Sequence, residues 1–353
     1  MSRPTRGRGG RSRVPVVARA GALGLSGALA LAALAALGCA ASLTEPTQLI
    51  RPRLLGTRVS VQGDPTRATP APGEKADVTW HVGFPGARQP MGWFFLACRT
   101  VNLGVPVCAD APFAVVEHRD PSIEDPTYTL ALPPASDFGA NDTHVLLLGA
   151  VCFGGAPPAV DEVLAGLEAG TPLSALGCED PRNEGQFASY RLLLANADEA
   201  GEPGGGVNHN PSIARVAVDG ELWESDADPT APVSGCVGSG VRELSASAAP
   251  QRLQVFVSSS DFEPFIGEDI EGVRGRRLEQ LQVSWTVTAG ALQRPFSFLE
   301  GATFASQDWT LPPAAAVPPG GLLVRFEMVV RDSDERAPRG GTDWVSRALC
   351  LVR

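Results

Sequence analysis

Histidine and recognisable catalytic motifs are scarce in this chain, which has four histidines in 353 residues. None of them stands in the HExxH pattern of a zinc protease helix. The GxSxG turn of serine hydrolases and the GxxxxGK[ST] phosphate loop are also missing. These absences predict a protein without a cofactor and without an active site borne on a known motif. A catalytic site built from distant residues stays open, because such residues meet only in the fold.

The histidines themselves predict structural roles. His81 alternates with Val and Trp in a strand-like segment, so we expect it on the exposed face of a strand. His118 and His209 fall in polar loop sequence, and His144 begins an apolar run. For His81, His118 and His209 a solvated or capping role is favoured over a catalytic one.

Long apolar runs are missing as well, apart from one at the N-terminus. Residues 20–38 read AGALGLSGALALAALAALG and follow nineteen residues that hold six arginines and no acid. A basic start, an apolar centre and small residues at the end are the parts of a secretory signal, so we predict a signal peptide at 1–38. Ordinary cleavage, an uncleaved signal anchor and a buried core helix are the alternatives.

The signal ends in Ala36-Leu37-Gly38-Cys39, which resembles a lipobox. In bacterial lipoproteins this sequence marks the cysteine that is joined to diacylglycerol and becomes the mature N-terminus. Gly38 fits the pattern, whereas Ala36 stands where the pattern usually has Leu. The resemblance implies lipidation of Cys39, a membrane anchor through that lipid, and an outer-membrane location that faces the periplasm or the cell surface.

No CxxC pattern occurs among the seven cysteines, which disfavours a zinc site or a thioredoxin-like redox role. With Cys39 set aside for the lipid, six remain, and an even number in an oxidising compartment suggests up to three disulfides. We favour the pairs that join neighbours within one predicted domain: Cys98 with Cys108, Cys152 with Cys178, and Cys236 with Cys350. The alternative is that some of these are free cysteines that pack as small hydrophobic residues.

Acidic residues outnumber basic ones, with 39 Asp and Glu against 29 Lys and Arg, which gives a net charge of −10. Loss of the six arginines of the signal leaves 23 basic residues against 39 acidic ones, a net charge of −16 for the mature chain. A protein of this charge is repelled by phosphate backbones and anionic lipid surfaces. Nucleic acid is therefore disfavoured as a partner.

Glycine and proline punctuate many short apolar runs, and helical periodicity is rare, which predicts an all-β chain. Alternating segments such as 76–82 and 281–287 indicate half-buried antiparallel strands. Residues 145–153 are apolar on both faces, which indicates a central strand. One short amphipathic helix is expected at 160–170, as an insertion before the last strand of the first domain.

A polar, glycine-rich stretch divides the chain into two predicted domains. The predicted organisation is a signal peptide at 1–38, a lipidated tether at 39–52, a first domain at 53–196, a linker at 197–210 and a second domain at 211–353. The two halves echo each other in order: VTWHV (78–82) and VSWTV (283–287), TLALPP (129–134) and TLPP (310–313), HVLLLGAV (144–151) and LLVRFEMVV (322–330), then YRLLLA and VSRALCLV. A repeat of this length indicates duplicated domains.

An inward-facing tryptophan on an early strand and a Thr-Leu-Pro edge before a long apolar strand are shared with immunoglobulin-like and fibronectin type III-like modules. Residues 53–353 resemble two such antiparallel β-sandwiches in tandem, although the Cys…Trp…Cys spacing of antibody domains is missing. The layout of a lipobox, EPTQLIRPRLL and two sandwiches also resembles uncharacterised surface lipoproteins of myxobacteria. That resemblance implies no known activity.

Two acidic loops are weak calcium candidates, because alternating carboxylates in a loop supply hard oxygen ligands. The candidates are Asp226 and Asp228 in ESDADP, and Asp332 and Asp334 in RDSDER. Neither loop has the ligand spacing of a helix–loop–helix calcium site. Arg331 and Arg336 flank the second loop and offer a simpler way to neutralise it, so we predict no metal site.

Three classes of function remain. The favoured one is a non-catalytic binding or scaffold lipoprotein that contacts an extracellular ligand or another envelope protein through loops at the sandwich ends. The second is a structural or assembly subunit of an envelope complex, with its contact on a sheet edge or at the domain junction. The third is a hydrolase with a dispersed site, which predicts a deep pocket with two carboxylates roughly 5–10 Å apart. The fold by itself does not choose among them.

Overall fold

A computed structural model describes residues 46–100, 108–139, 142–171, 177–195, 207–224, 228, 230–268, 274–299, 301–333 and 338–353. The predicted signal peptide and Cys39 lie outside these residues, as do Asp226, Asp334 and the linker residues 197–206. Within the described ranges, no helix is long and apolar enough to cross a membrane. Residues Glu45–Arg353 form one compact unit.

Seven strands of the described residues form the first sandwich, and the three strands of one sheet alternate buried with more exposed residues, as half-buried antiparallel strands do. They are β1 (Arg53–Val61), β2 (Lys75–Gly83), β3 (Met91–Arg99), β4 (Ala114–Ser122), β5 (Thr127–Ala131), β6 (His144–Phe153) and β7 (Glu184–Leu193). One sheet has the order β1-β2-β5 and the other the order β4-β3-β6-β7, with antiparallel pairing throughout. This is an immunoglobulin-like arrangement.

The core of the first sandwich lies between these two sheets. Val78, Trp80 and Val82 of β2 all face it, and Trp80 stacks on Phe95 of β3 with ring centroids 4.6 Å apart. Because successive side chains of a strand point to opposite faces, His81 points away from this core.

Twelve further strands belong to the second half of the chain. They are β8 (Ile213–Val218), β9 (Glu221–Leu222), β10 (Glu243–Ser245), β11 (Gln251–Val257), β12 (Pro264–Glu268), β13 (Arg274–Leu278), β14 (Gln280–Val287), β15 (Ala291–Leu292), β16 (Phe296–Leu299), β17 (Phe304–Thr310), β18 (Leu322–Ser333) and β19 (Pro338–Val352). Two five-stranded sheets, β15-β17-β11-β8-β9 and β10-β19-β18-β14-β16, form the second sandwich, and β12 and β13 form a separate hairpin. The predicted all-β fold with two immunoglobulin-like sandwiches is confirmed.

The two sandwiches repeat one strand order, because β2 lies between β1 and β5 as β11 lies between β8 and β17. Three of the four sequence echoes fall on equivalent strands, namely β5 and β17, β6 and β18, and β7 and β19. The first echo is wrong, since VTWHV lies on β2 whereas VSWTV lies on β14, in the opposite sheet. Both strands turn a tryptophan into a core, and alternation alone does not say which sheet a strand joins.

The predicted helical insertion is present as α1 (Val160–Glu168). Val163 of α1 packs with Leu146 and Leu148, which lie on the face of β6 that points away from the first sandwich core. This second apolar layer explains why β6 is buried on both faces.

The structure contains three disulfides, and they are the pairs that the sequence favours. Cys98–Cys108 closes a short loop after β3, and Cys152–Cys178 joins β6 to the segment that follows α1. Cys236–Cys350 joins the long β9–β10 connection to β19. The second bond fixes the helical insertion against the core strand, as expected.

The described end of the predicted tether lies against the second sandwich. Leu49 N donates to Val287 O and Val287 N donates to Thr47 O, at 2.9 and 2.8 Å, and Gln48 pairs with Val287 in parallel orientation. The side chain of Leu49 is 1% exposed. Residues 47–49 therefore pair with the end of β14 beyond its contact with β16, before the chain enters β1 of the first sandwich.

Candidate functional site

The two sandwiches meet along one polar sheet face. On β18, Val324, Phe326 and Met328 point into the core of the second sandwich, so the intervening residues point the other way, towards the first sandwich. Arg58 of β1 pairs with Asp343 of β19 at 2.7 Å, and Tyr190 of β7 donates a hydrogen bond to Gly340 O at 2.7 Å. The junction is thus built from hydrogen bonds and ion pairs rather than from a second apolar core.

His81 lies at the centre of this junction and is only 2% exposed. Its Nδ1 lies 3.2 Å from Oδ2 of Asp125, and its Nε2 lies 3.0 Å from Oε2 of Glu327 on β18. The ring of Trp344 on β19 stacks on the imidazole with centroids 4.9 Å apart. The prediction of an exposed His81 is therefore wrong. The prediction that His81 points away from the core of its own sandwich is correct, but the second sandwich covers that face of the strand.

Each carboxylate beside His81 is held by further donors. Arg88 donates to Oδ1 of Asp125 at 2.6 Å, and the backbone N–H of Val82 donates to the same oxygen at 3.1 Å. Ser346 Oγ donates to Oε2 of Glu327 at 2.5 Å. Asp125 thus belongs to the first sandwich and Glu327 to the second, with the imidazole bridging them.

The electrostatic surroundings keep His81 protonated at neutral pH. Burial by itself lowers the pKa of the imidazole, but the hydrogen bonds to Asp125 and Glu327 and the charges of both carboxylates outweigh that effect and raise the pKa to about 9. Both ring nitrogens then act as donors. The result is a buried carboxylate–imidazolium–carboxylate bridge between the sandwiches.

This bridge is poorly suited to acid–base catalysis. A general base needs a pKa near the working pH and a free nitrogen, whereas both nitrogens of His81 are bonded to carboxylates. Ser346 donates to Glu327 and not to His81, so the nucleophile–base contact of a Ser-His-acid triad is missing here. A hydrolase with two carboxylates needs open space between them, and here the imidazole occupies that space.

A cleft of about 220 Å³ opens beside the bridge, between the two sandwiches. We call it the His81 cleft, and the residues that define it are His81, Arg88, Asp125, Arg325, Glu327 and Trp344. Arg325 is its least satisfied member: the residue is 3% exposed, and its Nη2 donates to the carbonyl oxygens of Asp228 and Ala231. Within the described part of the chain, Nε and Nη1 of Arg325 have no hydrogen-bond partner.

Burial lowers the pKa of Arg325, and the charges of Glu327 and Asp228 oppose that shift. A guanidinium stays protonated in proteins, so the cleft holds a full positive charge at this position. Glu327, two residues along the same strand, is already bonded to His81 and Ser346.

A second cleft of about 340 Å³ lies farther along the same junction and includes Tyr190 and Arg331 in its walls. Arg331 donates to Leu55 O and to Ser284 Oγ, and Tyr190 donates to Gly340 O. Arg331 and Tyr190 thus donate to groups within the protein, whereas Nε and Nη1 of Arg325 have no partner among the described residues.

The other three histidines lie away from the His81 cleft. His118 lies on strand β4, not in a loop as predicted, and its ring stacks on Trp93 at 5.5 Å. His209 Nδ1 lies 2.5 Å from Oε1 of Glu263. Burial lowers the pKa of His144, with the charge of Arg191 acting in the same direction.

The calcium candidates that the structure describes have other partners. Asp228 accepts hydrogen bonds from the backbone and hydroxyl of Thr230 at 2.8 and 2.7 Å, which is a local turn. Asp332 is buried and accepts from Asn208 Nδ2 and from Gly341 N. Among the described residues, no group of three or more His, Cys, Asp or Glu side chains is arranged to hold a metal ion.

Sequence reasoning missed Asp125, Glu327, Arg88 and Arg325 as members of one site. One signal was available in LLVRFEMVV, where two charged residues alternate with apolar ones in a segment that echoes the predicted central strand of the first domain. Such a strand has a polar outer face, and a long central strand with a polar face indicates that something polar covers it. Asp125 gives no comparable signal, because it lies in a turn-rich segment.

No protein-family model matches the chain, and no curated protein matches it in sequence. Among solved structures, the chain is similar to the D00-D0 domain of Intimin, with 9% identity, a TM-score of 0.20, and coverage of 84% of this chain and 100% of that one. It is also similar to the D0-D1 domain of Intimin, with 9% identity, a TM-score of 0.20, and coverage of 82% and 96%. A crystal structure of red sea bream transglutaminase gives 10% identity, a TM-score of 0.19, and coverage of 85% and 32%. Likenesses at this level carry no argument about activity, ligand or partner.

Proposed function

We propose that this chain is an envelope lipoprotein whose two sandwiches act together as one rigid, non-catalytic binding unit. The observation that carries the proposal is the bridge from Asp125 through His81 to Glu327. This bridge joins the two sandwiches through hydrogen bonds to a buried imidazole, and it leaves neither nitrogen of the imidazole free for catalysis. A rigid junction holds binding surfaces on both sandwiches in a fixed relation, which lowers the entropic cost of binding.

The disulfides support an extracytoplasmic location. Three disulfides within one chain are typical of proteins that fold in an oxidising compartment. The predicted signal peptide at 1–38 and the lipobox-like sequence before Cys39 point the same way. These observations support our proposal of a location at the cell envelope and of an anchor through a lipid on Cys39.

Fractionation of cells that express wild-type protein or Cys39→Ala tests the anchor. We expect wild-type protein to sediment with membranes and to incorporate labelled palmitate, and the variant to do neither, because the lipid is the membrane attachment. Protease added to intact cells then separates a surface location from a periplasmic one. If Cys39→Ala stays in the membrane fraction, the lipid anchor is wrong and the N-terminal segment holds the protein by itself.

A second candidate function is that of an assembly subunit, and one observation favours it. Strand β16 lies at the edge of its sheet, and the rings of Phe296 and Phe298 on it are 44% and 52% exposed and lie 5.5 Å apart. Exposed aromatic pairs on an edge strand suit a contact in which a strand of a partner protein adds to the sheet.

Native electrophoresis of the membrane-extracted protein tests this second candidate. An assembly subunit migrates in a complex larger than its own mass, and we expect Phe298→Ser to dissociate that complex. Phe304→Ser is the matched control, since Phe304 is also an exposed ring but lies on β17 in the other sheet. Migration of the wild-type protein as a monomer would exclude the assembly role.

A further inference from the structure

Arg325 is unusual because it is a buried cation that has no hydrogen bond to a carboxylate among the described residues. Buried arginines in proteins are almost always paired, since an unpaired buried charge is costly. The two hydrogen bonds of Arg325 Nη2 go to backbone carbonyls of residues 228 and 231, which fix the orientation of the guanidinium. Its Nε and Nη1 are left without partners within the described residues.

No carboxylate among the described residues binds the unpaired N–H groups of Arg325. The cationic side chains of the cleft are His81, Arg88 and Arg325, and its carboxylates are Asp125 and Glu327. Both carboxylates are engaged, Asp125 with Arg88 and His81, and Glu327 with His81 and Ser346. The charge of Asp228 also acts on Arg325, but the carboxylate of Asp228 accepts hydrogen bonds from Thr230.

We propose that the His81 cleft is a binding site for a carboxylate group, with Arg325 as its partner. The proposal rests on the binding role proposed above, but it does not depend on the lipid anchor. A single carboxylate accepts the N–H groups of Arg325 that the described residues leave unpaired. Hydrogen bonds between a guanidinium and a carboxylate are among the strongest that proteins form.

The same charges select against other ligands. A phosphate dianion brings two negative charges close to the carboxylates of Asp125, Glu327 and Asp228, so repulsion disfavours it more than a single carboxylate. A cation is repelled by Arg325 directly. A cleft of about 220 Å³ has room for a small carboxylic acid or for the C-terminal end of a peptide, and the shared chemistry of both is the carboxylate.

The test follows the Nε–H resonance of Arg325 in the ¹⁵N-labelled protein with its disulfides intact. The resonance is assigned by its loss in Arg325→Lys. Sodium acetate is titrated in exchange for sodium chloride, so that the ionic strength stays constant. We expect a saturable shift with a dissociation constant on the order of 1 mM, because a ligand of so few atoms binds weakly.

Arg325→Lys is expected to weaken acetate binding by at least about tenfold, because the loss of one buried charge-assisted hydrogen bond corresponds to such a factor or more. Shifts of the Trp344 indole, which also lies in the cleft, report binding in this variant. Arg331→Lys is the matched control, since Arg331 lies on the same strand face but in the other cleft, and it is expected to bind acetate as the wild type does. Absence of a saturable shift in the wild type, or unchanged affinity in Arg325→Lys, overturns the proposal.

Two peptides distinguish the sources of the carboxylate. N-acetyl-dialanine with a free carboxylate is compared with its C-terminal amide. Tighter binding of the free acid than of acetate identifies a peptide terminus as the ligand, whereas binding no tighter than acetate identifies a small carboxylic acid. Equal binding of the acid and the amide would overturn carboxylate recognition. None of these results depends on whether Cys39→Ala leaves the membrane, so failure of the site and failure of the anchor are distinguishable.

Discussion

At the scale of single residues, His81 shows how burial and charge compete for one imidazole. Burial opposes the charged form, yet two carboxylates at hydrogen-bonding distance hold the proton on the ring. The protonated form is the one that bridges the sandwiches, so the stability of the junction is linked to proton binding at this residue.

Stability is expected to fall as the pH rises from about 6.5 to about 9. The pKa of His81 is raised in the folded protein from 6.5 to about 9. The stabilisation is therefore complete below the unfolded-state value and is lost as the pH passes through the folded-state value. The full shift corresponds to about 3 kcal/mol as an upper limit. Urea unfolding at pH 6 and at pH 9.5 measures this change in the free energy of unfolding.

His81→Gln is the control for this pH dependence. Glutamine keeps a polar side chain of similar reach but does not titrate, so the variant is expected to be less stable at pH 6 and to lose most of the difference between the two pH values. A wild-type protein whose unfolding free energy is equal at both pH values would show that His81 is not held protonated.

At the scale of structural elements, the disulfides differ most in the length of chain that they close. The separations are 10 residues for Cys98–Cys108 and 114 residues for Cys236–Cys350. A longer closed loop removes more conformational freedom from the unfolded chain. We therefore expect the loop length, more than the local packing, to decide which disulfide contributes more to the free energy of unfolding.

Replacement of both cysteines of each pair by serine tests that order. We expect the loss of Cys236–Cys350 to lower the unfolding free energy by about 5 kcal/mol and the loss of Cys98–Cys108 to lower it by about 3 kcal/mol. Denaturant unfolding of the two double variants measures the difference. A larger loss for the short loop would mean that native packing around the bond outweighs loop entropy.

The segment 47–49 is a second element whose role the structure defines. Leu49→Ala is expected to cost about 2–4 kcal/mol, because it removes a fully buried aliphatic side chain. The backbone N–H of Leu49, which donates to Val287 O, should then exchange with deuterium faster. Ile50→Ala is the matched control, since Ile50 is 58% exposed, and it should change neither stability nor exchange.

At the scale of the whole molecule, we expect the polar junction to make the two sandwiches unfold as one cooperative unit. Asp343 is an example of a residue that links the two sandwiches. One of its carboxylate oxygens accepts a hydrogen bond from Arg58 of the first sandwich, and the other accepts one from the backbone N–H of Ile213 at the start of the second. Contacts of this kind couple the unfolding of one sandwich to that of the other.

Calorimetry is expected to show a single unfolding transition whose calorimetric and van't Hoff enthalpies agree. Asp343→Ala should lower stability by about 1–3 kcal/mol, because it leaves two part-buried donors, Arg58 and the backbone N–H of Ile213, without this partner. Arg252→Ala should have little effect, since Arg252 forms an exposed ion pair with Asp308 within a single sheet. Two separate transitions in the wild-type protein would show that the sandwiches unfold independently.

The sequence by itself determined the β class, the duplication, the helical insertion and the disulfide pairs. These properties depend on patterns that a single strand or a short stretch carries, such as the alternation of 76–82 or the cysteine spacing. Where two strands carry the same pattern, as β2 and β14 do, the sequence did not tell them apart. Side-chain periodicity records which face of a strand is apolar but not which neighbours the strand has.

Only the tertiary structure decided what covers the polar faces. The sequence placed His81 on the outer face of its strand, and that face is buried because a second sandwich packs on it. Residues 125 and 327 are far apart in the chain, and they meet at His81 only when both sandwiches are formed and docked. The unpaired N–H groups of Arg325 arise for the same reason, since a polar group is paired or unpaired only in relation to the groups that folding brings around it.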